Sequence, residues 1–354
     1  MTDLALEQHA NGHQVSVFSI NHTQGFAPEL TKAGVPVLTG GKTRPFDWGV
    51  MSLLRQAAKG VDIVHAHNFT PNYYAAAALL GLFRGPALVG TCHDMGTRLS
   101  NQKLRLIYRC SLMRTKRVAM VGQQVLERYV GSGMVPRDRA STVLNGIPVE
   151  RFCPTPERRI EARNRLGLGE RDLVIGCVGR LVGLKNHQLL LSVTPALVQE
   201  HPNLRVVIIG YGELESTLRQ QAVKLGIQDH VLITGKRSDV AELLPAFDVF
   251  ALPSQTEGLS IALLEACASG LAVVASRVGG NPEIIQHEET GLLVEANDAA
   301  ALQQGLQRLL NDPPLRMRLG SAAARWVAAN ASTQALREAY DHFYHAALTA
   351  SHPS

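Results

Sequence analysis

The stretch DVFALPSQTEGLSIALLEACASGLAVVAS, residues 248–276, reads as strand, loop, helix and strand. Its ends, DVFALPS and LAVVAS, are short apolar runs bounded by turn-forming residues, and the interval 258–269 is long and apolar enough for a buried helix. Two strands joined through a helix form the crossover that a parallel sheet requires. Outward from this unit, DLVIGCVGR, LRVVIIG, HVLITG and GLLV are further strand-like runs, with helical stretches such as 187–200 and 213–225 between them. Six strands alternating with helices predict a doubly wound α/β domain over residues 153–330.

The first half has the same rhythm. QVSVFSI (14–20), VDIVHAH (61–67), ALVGTCH (87–93) and KRVAMVG (116–122) read as strands of a mostly parallel sheet, which predicts a first domain over residues 1–152. The segment NGIPVERFCPTPERR, 145–159, interrupts the alternation with Pro148, Pro154 and Pro156 and reads as the linker. The last segment, 331–354, contains a helix expected to pack back on the first domain. The expected fold is therefore α/β, two doubly wound Rossmann-like domains facing a cleft, a common place for a ligand held from both sides. The start departs from this plan. LALEQHANGHQVSVF reads as helix, turn at Asn11-Gly12, and strand, whereas a doubly wound domain opens with a strand and a glycine-bearing turn. The first domain is thus expected to be incomplete at its start, or its assigned start to lie downstream of the natural one, with unpaired sheet edges as the consequence.

Composition limits the function classes. The chain has 354 residues, enough for two cores, with 45% apolar and 18% charged residues. Aromatic residues are only 5%, a poor supply of stacking platforms for nucleic acid. Five cysteines without CxxC spacing argue for a reducing compartment and against a disulfide framework or structural zinc. YYAAAALLGLF, 73–83, is too short to span a bilayer, and the expected location is cytoplasmic. The net charge of +5 is uneven: residues 1–155 carry 17 Lys+Arg against 9 Asp+Glu, and the remainder 18 against 21. Much of the basic excess lies in NQKLRLIYRCSLMRTKR, 101–117, which reads as a basic amphipathic helix suited to an anionic membrane or lipid-linked substrate, or else as an ordinary solvated helix face.

In the opening stretch, Ser254 followed by Glu257 has the form of a capping box, with Gly258 permitting close backbone approach where the helix begins. If most of the interval is helical, Glu257 and Glu265 stand roughly 12 Å apart along the axis. A general acid and base around one bond need about 5 to 9.5 Å, so these carboxylates suit two grips on one long polyhydroxylated ligand. Amides of Gly258, Leu259 and Ser260 at the helix start would favour a phosphate between them. The plain alternative is that Glu257 caps and Glu265 decorates the surface. GRLVGLKNH, 179–187, adds Arg180 and Lys185 near a loop mouth, two cations able to neutralise a diphosphate, and SRVGGNPEII, 276–285, adds a double glycine before another helix start.

These segments, with DIVHAH, TCHD and VLNGIPVERF, resemble the retaining glycosyltransferases of the fourth family, which are built on the two-domain GT-B plan and include bacterial polysaccharide and lipopolysaccharide transferases. The resemblance runs from about residue 4 to about residue 330. It implies that Glu257 holds the donor sugar, that Glu265 holds the ribose of the nucleotide, and that Arg180 and Lys185 stabilise the departing diphosphate. It also implies that His93 lies near the transferred sugar; read alone, a histidine at a strand end equally serves as a structural hydrogen-bond partner, and the adjacent Asp94 favours a polar cleft position. His65 and His67, on one strand without a third ligand, give little support for a metal. The implied activity is metal-independent transfer of a hexose from a nucleotide diphosphate sugar to a glycan or lipid-linked acceptor with retained configuration. No cofactor beyond the donor substrate is required. A nucleotide-sugar epimerase of the same build, or a nucleotide-sugar-binding protein without transfer, are the alternatives.

Overall fold

The structure, a computed structural model, describes residues 1–22, 25–82, 85–93 and 101–349. The chain forms two compact units, one of Met1–Gly146 with the chain from Thr333 onward, the other of Ile147–Ser332.

In the first unit the strands are β1 (Val17–Ser19), β2 (Val37–Thr39), β3 (Ile63–His67), β4 (Ala87–Cys92), β5 (Thr115–Met120) and β6 (Ala140–Thr142). The helices are α1 (Thr2–Ala10), α2 (Ala27–Lys32), α3 (Trp48–Ala57), α4 (Phe69–Ala78), α5 (Gln102–Leu112) and α6 (Gln123–Gly131). All pairings are parallel, but the strands form two sheets: β1 with β2, and β3-β4-β5-β6 in that order. The central β4 is buried along its whole length, whereas β1 is half-buried and β3 mostly so. Two of these strands, β2 and β6, are three-residue pieces that the strand reading of the sequence passes over.

One sequence expectation is corrected here. The basic stretch 101–117 is not a single helix: α5 stops at Leu112, and Lys116 and Arg117 belong to β5. Asn101 caps α5 by accepting from the amides of Lys103 and Leu104, and a buried side of Tyr108, Ser111 and Leu112 fixes its rotation.

In the second unit the helices are α7 (Pro156–Leu166), α8 (His187–Glu200), α9 (Glu215–Lys224), α10 (Val240–Leu243), α11 (Ile261–Ala268), α12 (Asn281–Ile284), α13 (Ala299–Asn311) and α14 (Pro313–Asn330). Its strands are β7 (Leu173–Val178), β8 (Leu204–Ile209), β9 (Val231–Ile233), β10 (Val249–Leu252), β11 (Ala272–Ser276) and β12 (Leu292–Val294). They form one parallel sheet in the order β12-β11-β10-β7-β8-β9. Alternate residues feed two cores, as the two-residue period of a strand dictates. Val174, Val207, Phe250 and Val273 face one side with α11 and α14, while Ile175, Val206, Val249 and Val274 face the other with α8 and α13. Helices on both faces are what make the strands continuously apolar. Asp248 joins α7 to this sheet: it accepts from Arg159 at 2.6 Å, Arg163 at 3.1 Å and the amide of Val174 at 2.8 Å.

The chain then returns to the first unit as α15 (Thr333–Thr349). Leu336, Tyr340 and Phe343 of α15 share a core with Leu4 of α1, Val89 of β4 and Ala119 of β5. Among the described residues no helix is long and apolar enough to cross a membrane.

Candidate functional site

Neighbouring parallel strands deliver the loops after their carboxyl ends to one edge of the sheet. In the second unit β11, β10, β7 and β8 are adjacent, so the loops after Ser276, Leu252, Val178 and Ile209 meet there. Backbone hydrogen bonds join them: the amide of Gln255 donates to Leu184, that of Leu181 to Tyr211, and that of Gly280 to Gly258.

This edge brings Lys185 and Glu257 together. The Lys185 Nζ donates to both carboxylate oxygens of Glu257, at 2.6 and 2.8 Å, and the Ser254 hydroxyl donates to Glu257 Oε1 at 2.6 Å. The Glu257 side chain is 7% exposed and that of Lys185 20%, so the pair interacts where solvent screening is weak. An ammonium has three protons, and two are used here, leaving one direction for an anion above the pair. Arg180 is exposed on the same loop as Lys185, and Glu265 is half-buried within α11. Burial pushes the neighbouring Cys177 thiol up to about 12, so it is no nucleophile near neutral pH.

The helix after Glu257 starts later than the Ser254-x-x-Glu257 spacing suggests. Ser254 is fully buried and spends its hydroxyl on the Glu257 carboxylate, and the N-cap is Ser260, whose Oγ accepts from the amide of Leu263. The helix-start amides are therefore those of Ile261 and Ala262, while Gly258, Leu259 and Ser260 lie in the loop ahead of α11. Gly279 and Gly280 brace that loop: a Cβ on Gly279 would lie 1.9 Å from the Glu257 carbonyl oxygen, and one on Gly280 would lie 2.6 Å from that of Gly258. The double glycine is thus needed for its backbone approach to the glutamate loop, a role that sequence reading places only as a turn.

His93 belongs to the first unit, just after β4. Its Nε2 lies 3.2 Å from Nδ1 of His67, and the His67 ring is in turn 4.2 Å from that of His65. His65 bonds Tyr344 of α15 at 2.8 Å and Thr91 at 2.6 Å, and Thr91 bonds Tyr340 at 2.7 Å. Asp94 lies outside the described residues. Among the described residues no group of three His, Cys, Asp or Glu side chains is placed to hold a metal ion.

Burial first, then for His65 and His67 the neighbouring rings, and for all three the N-terminal ammonium, hold His65 down at about 3 and His93 at about 4, and hold His67 well below its ordinary value. The unfolded chain takes up these protons from about pH 6.5 downward, whereas the folded unit does not until near pH 4. Their contribution to stability is therefore present above pH 6.5 and lost as pH falls, at up to about 1.4 kcal/mol per pH unit for each ring. Thermal melts followed by circular dichroism should show a falling midpoint between pH 6.5 and 4.5. A His65→Asn, His93→Asn double variant should show a shallower slope; an equal slope would assign the acid sensitivity elsewhere.

Comparison with known proteins fits this architecture. The family model described as Glycosyl transferases group 1 matches residues 158–326, and that described as Glycosyltransferase Family 4 matches residues 1–151. A GDP-mannose-dependent monoacylated alpha-(1-6)-phosphatidylinositol monomannoside mannosyltransferase of Corynebacterium glutamicum is 31% identical over 78% of this chain and 76% of that protein. A Mycolicibacterium smegmatis GDP-mannose-dependent alpha-(1-6)-phosphatidylinositol monomannoside mannosyltransferase is 38% identical, and that match spans about half its length, 52% of this chain and 50% of the relative. Among solved structures, a glycosyltransferase from Rickettsia africae superposes with a TM-score of 0.86 at 20% identity, covering 99% of this chain and 94% of that one. The Anabaena HepE protein in complex with UDP superposes with a TM-score of 0.84 at 20% identity over 96% and 95%. The chain belongs to the glycosyltransferases of the GT-B fold, its second half similar to the group 1 family and its first to family 4.

Proposed function

We propose that the chain transfers a hexose from a nucleotide diphosphate sugar to a hydroxyl of a glycan or lipid-linked acceptor, with retention of anomeric configuration. The observation that carries this reading is the partly buried Lys185–Glu257–Ser254 cluster at the carboxyl edge of the six-stranded sheet. Glu257 holds hydroxyls of the donor sugar, Glu265 the ribose, and the amides at the start of α11 a phosphate oxygen. Lys185 and Arg180 take up the negative charge that develops on the diphosphate as its bond to the sugar C1 breaks. The acceptor oxygen bonds to C1 from the same face, and its proton passes to an oxygen of the departing phosphate, giving the glycoside and the nucleoside diphosphate. A double displacement has weaker support, because Glu257 Oε1 is already engaged by Lys185 and Ser254. His93 is assigned a contact with the transferred sugar.

The lipid-linked acceptor is supported by the names of several relatives, among them an Escherichia coli galactosyltransferase acting on a diphosphoundecaprenol-linked sugar. It is also supported by α5, where exposed Leu106 stands among Lys103, Arg105 and Arg109, with Met113 exposed just beyond, a surface suited to anionic membrane. Release of nucleoside diphosphate from GDP-mannose, UDP-glucose and UDP-galactose, with acceptors presented in anionic and neutral vesicles, tests the proposal. An α-linked product from an α-linked donor is expected, faster on anionic vesicles. A free epimerised sugar without acceptor, an inverted linkage, or donor binding without turnover would each overturn it.

A further inference from the structure

Asn68 has a backbone conformation that almost only glycine adopts, φ 72° and ψ −178°. It sits where β3 ends and α4 begins, in the N-cap position for which asparagine is well suited, yet its side chain makes no capping bond to the helix. Its carbonyl accepts from the amide of Asn72 in the helix, but its backbone amide and its side-chain oxygen are turned to the end of β4. Its amide donates to the Thr91 carbonyl at 2.7 Å, and its Oδ1 accepts from the amide of His93 at 3.1 Å. The side chain thus adds one rung to the β3–β4 ladder after the backbone has left it, and that rung holds His93. The preceding residue holds the ring: His67 Nδ1 lies 3.2 Å from His93 Nε2, with the rings stacked at 26°. One nitrogen of His93 is therefore occupied within the protein, and among the described residues Nδ1 is the ring nitrogen left for other partners.

We propose that His67 and Asn68 are positioning residues that fix the backbone and the ring tautomer of His93, so that it presents Nδ1 to the reacting sugar. This rests on the reading that His93 lies beside the transferred sugar. The groups facing the pair are His65, behind His67, and the amino group of Met1, with Tyr340 and Tyr344 reaching them through Thr91 and His65. Burial keeps all three rings neutral near pH 7, which allows one to donate and the next to accept.

The test uses the full chain. Asn68→Gly keeps the backbone angle and removes the acceptor, and His67→Ala removes the ring partner. Each is expected to lower kcat about tenfold with donor KM within about twofold of wild type, the split produced by misplacing a group that acts on the reacting centre. His67→Asn, whose amide nitrogen reaches the place of Nδ1, is expected to recover most of the loss. Imidazole 15N spectra supply a readout that needs no turnover: His93 should populate one tautomer in the wild type and His67→Asn, and both in His67→Ala. If Asn68→Gly and His67→Ala keep kcat within twofold while His93→Ala loses it, positioning is overturned and the role of His93 stands. If His93→Ala itself turns over normally, the reading of His93 fails, and the proposal with it. An unchanged tautomer in His67→Ala would also overturn it.

Discussion

Lys185→Ala is expected to lower donor turnover about a hundredfold or more, the scale of losing one preorganised charge that faces developing negative charge in a site shielded from water. The same substitution strands Glu257, whose carboxylate is 7% exposed and keeps only Ser254 of the side-chain partners it has here. An unpaired buried charge is destabilising by about 3–5 kcal/mol, so lost activity alone would not separate chemistry from folding. Pairing Lys185→Ala with Glu257→Gln makes that separation. The neutral amide removes the stranded charge, and the double variant should melt close to wild type while remaining about as inactive as the single variant. Lys185→Arg should retain part of the activity, because it restores a cation but replaces a compact ammonium with a longer, planar and larger head group in a space that holds Lys185 at 2.6 and 2.8 Å from Glu257. Turnover within threefold of wild type in Lys185→Ala would sink the assigned charge role.

The sheet of the second unit is legible because its inner strands are buried on both faces. All six appear in the sequence as predominantly apolar, largely β-branched or leucine-bearing runs. β2 and β6 are not legible: β2 is mostly exposed, and β6, Ala140-Ser141-Thr142, is half-buried and largely polar, so neither leaves an apolar run to see. The division of the first unit into two sheets is a matter of strand pairing, which local pattern does not encode. The candidate site divides the same way. Lys185 and Glu257 are each visible as charges beside glycine-rich turns, but their contact spans 72 positions and exists because β7 and β10 are sheet neighbours. Ser254 misleads for a specific reason. Its spacing from Glu257 is that of a cap, and a serine three residues before a carboxylate bonds either to backbone or to that carboxylate. Full burial beside Lys185 decides for the carboxylate, and the capping passes to Ser260. Asn68 and His67 are invisible as site residues because their roles depend on a positive φ and on a ring contact across strands.

Gly279→Ala should be among the most damaging single-methyl changes at the site, because it combines backbone strain with a backbone clash. At φ 55° an alanine carries about 1–2 kcal/mol of backbone strain. The added methyl would also sit 1.9 Å from the carbonyl oxygen and 2.6 Å from the carbonyl carbon of Glu257, against backbone that no rotamer change can move. Overpacking of this kind adds about 1–3 kcal/mol, and relief comes only by pushing the 257–258 segment away. Gly167→Ala is the matched control. Its φ is 66°, at the left-handed C-cap of α7, and a Cβ there meets nothing within 4 Å, so it carries the backbone strain without the clash. Urea unfolding of the second unit should therefore place Gly279→Ala below Gly167→Ala by at least about 1 kcal/mol. The clash also displaces Glu257 from Lys185, so nucleotide-sugar affinity should fall about tenfold or more in Gly279→Ala and stay unchanged in Gly167→Ala. Equal stability and equal affinity in the two variants would mean that the glutamate loop yields without cost, and that the double glycine does not hold Glu257 in place.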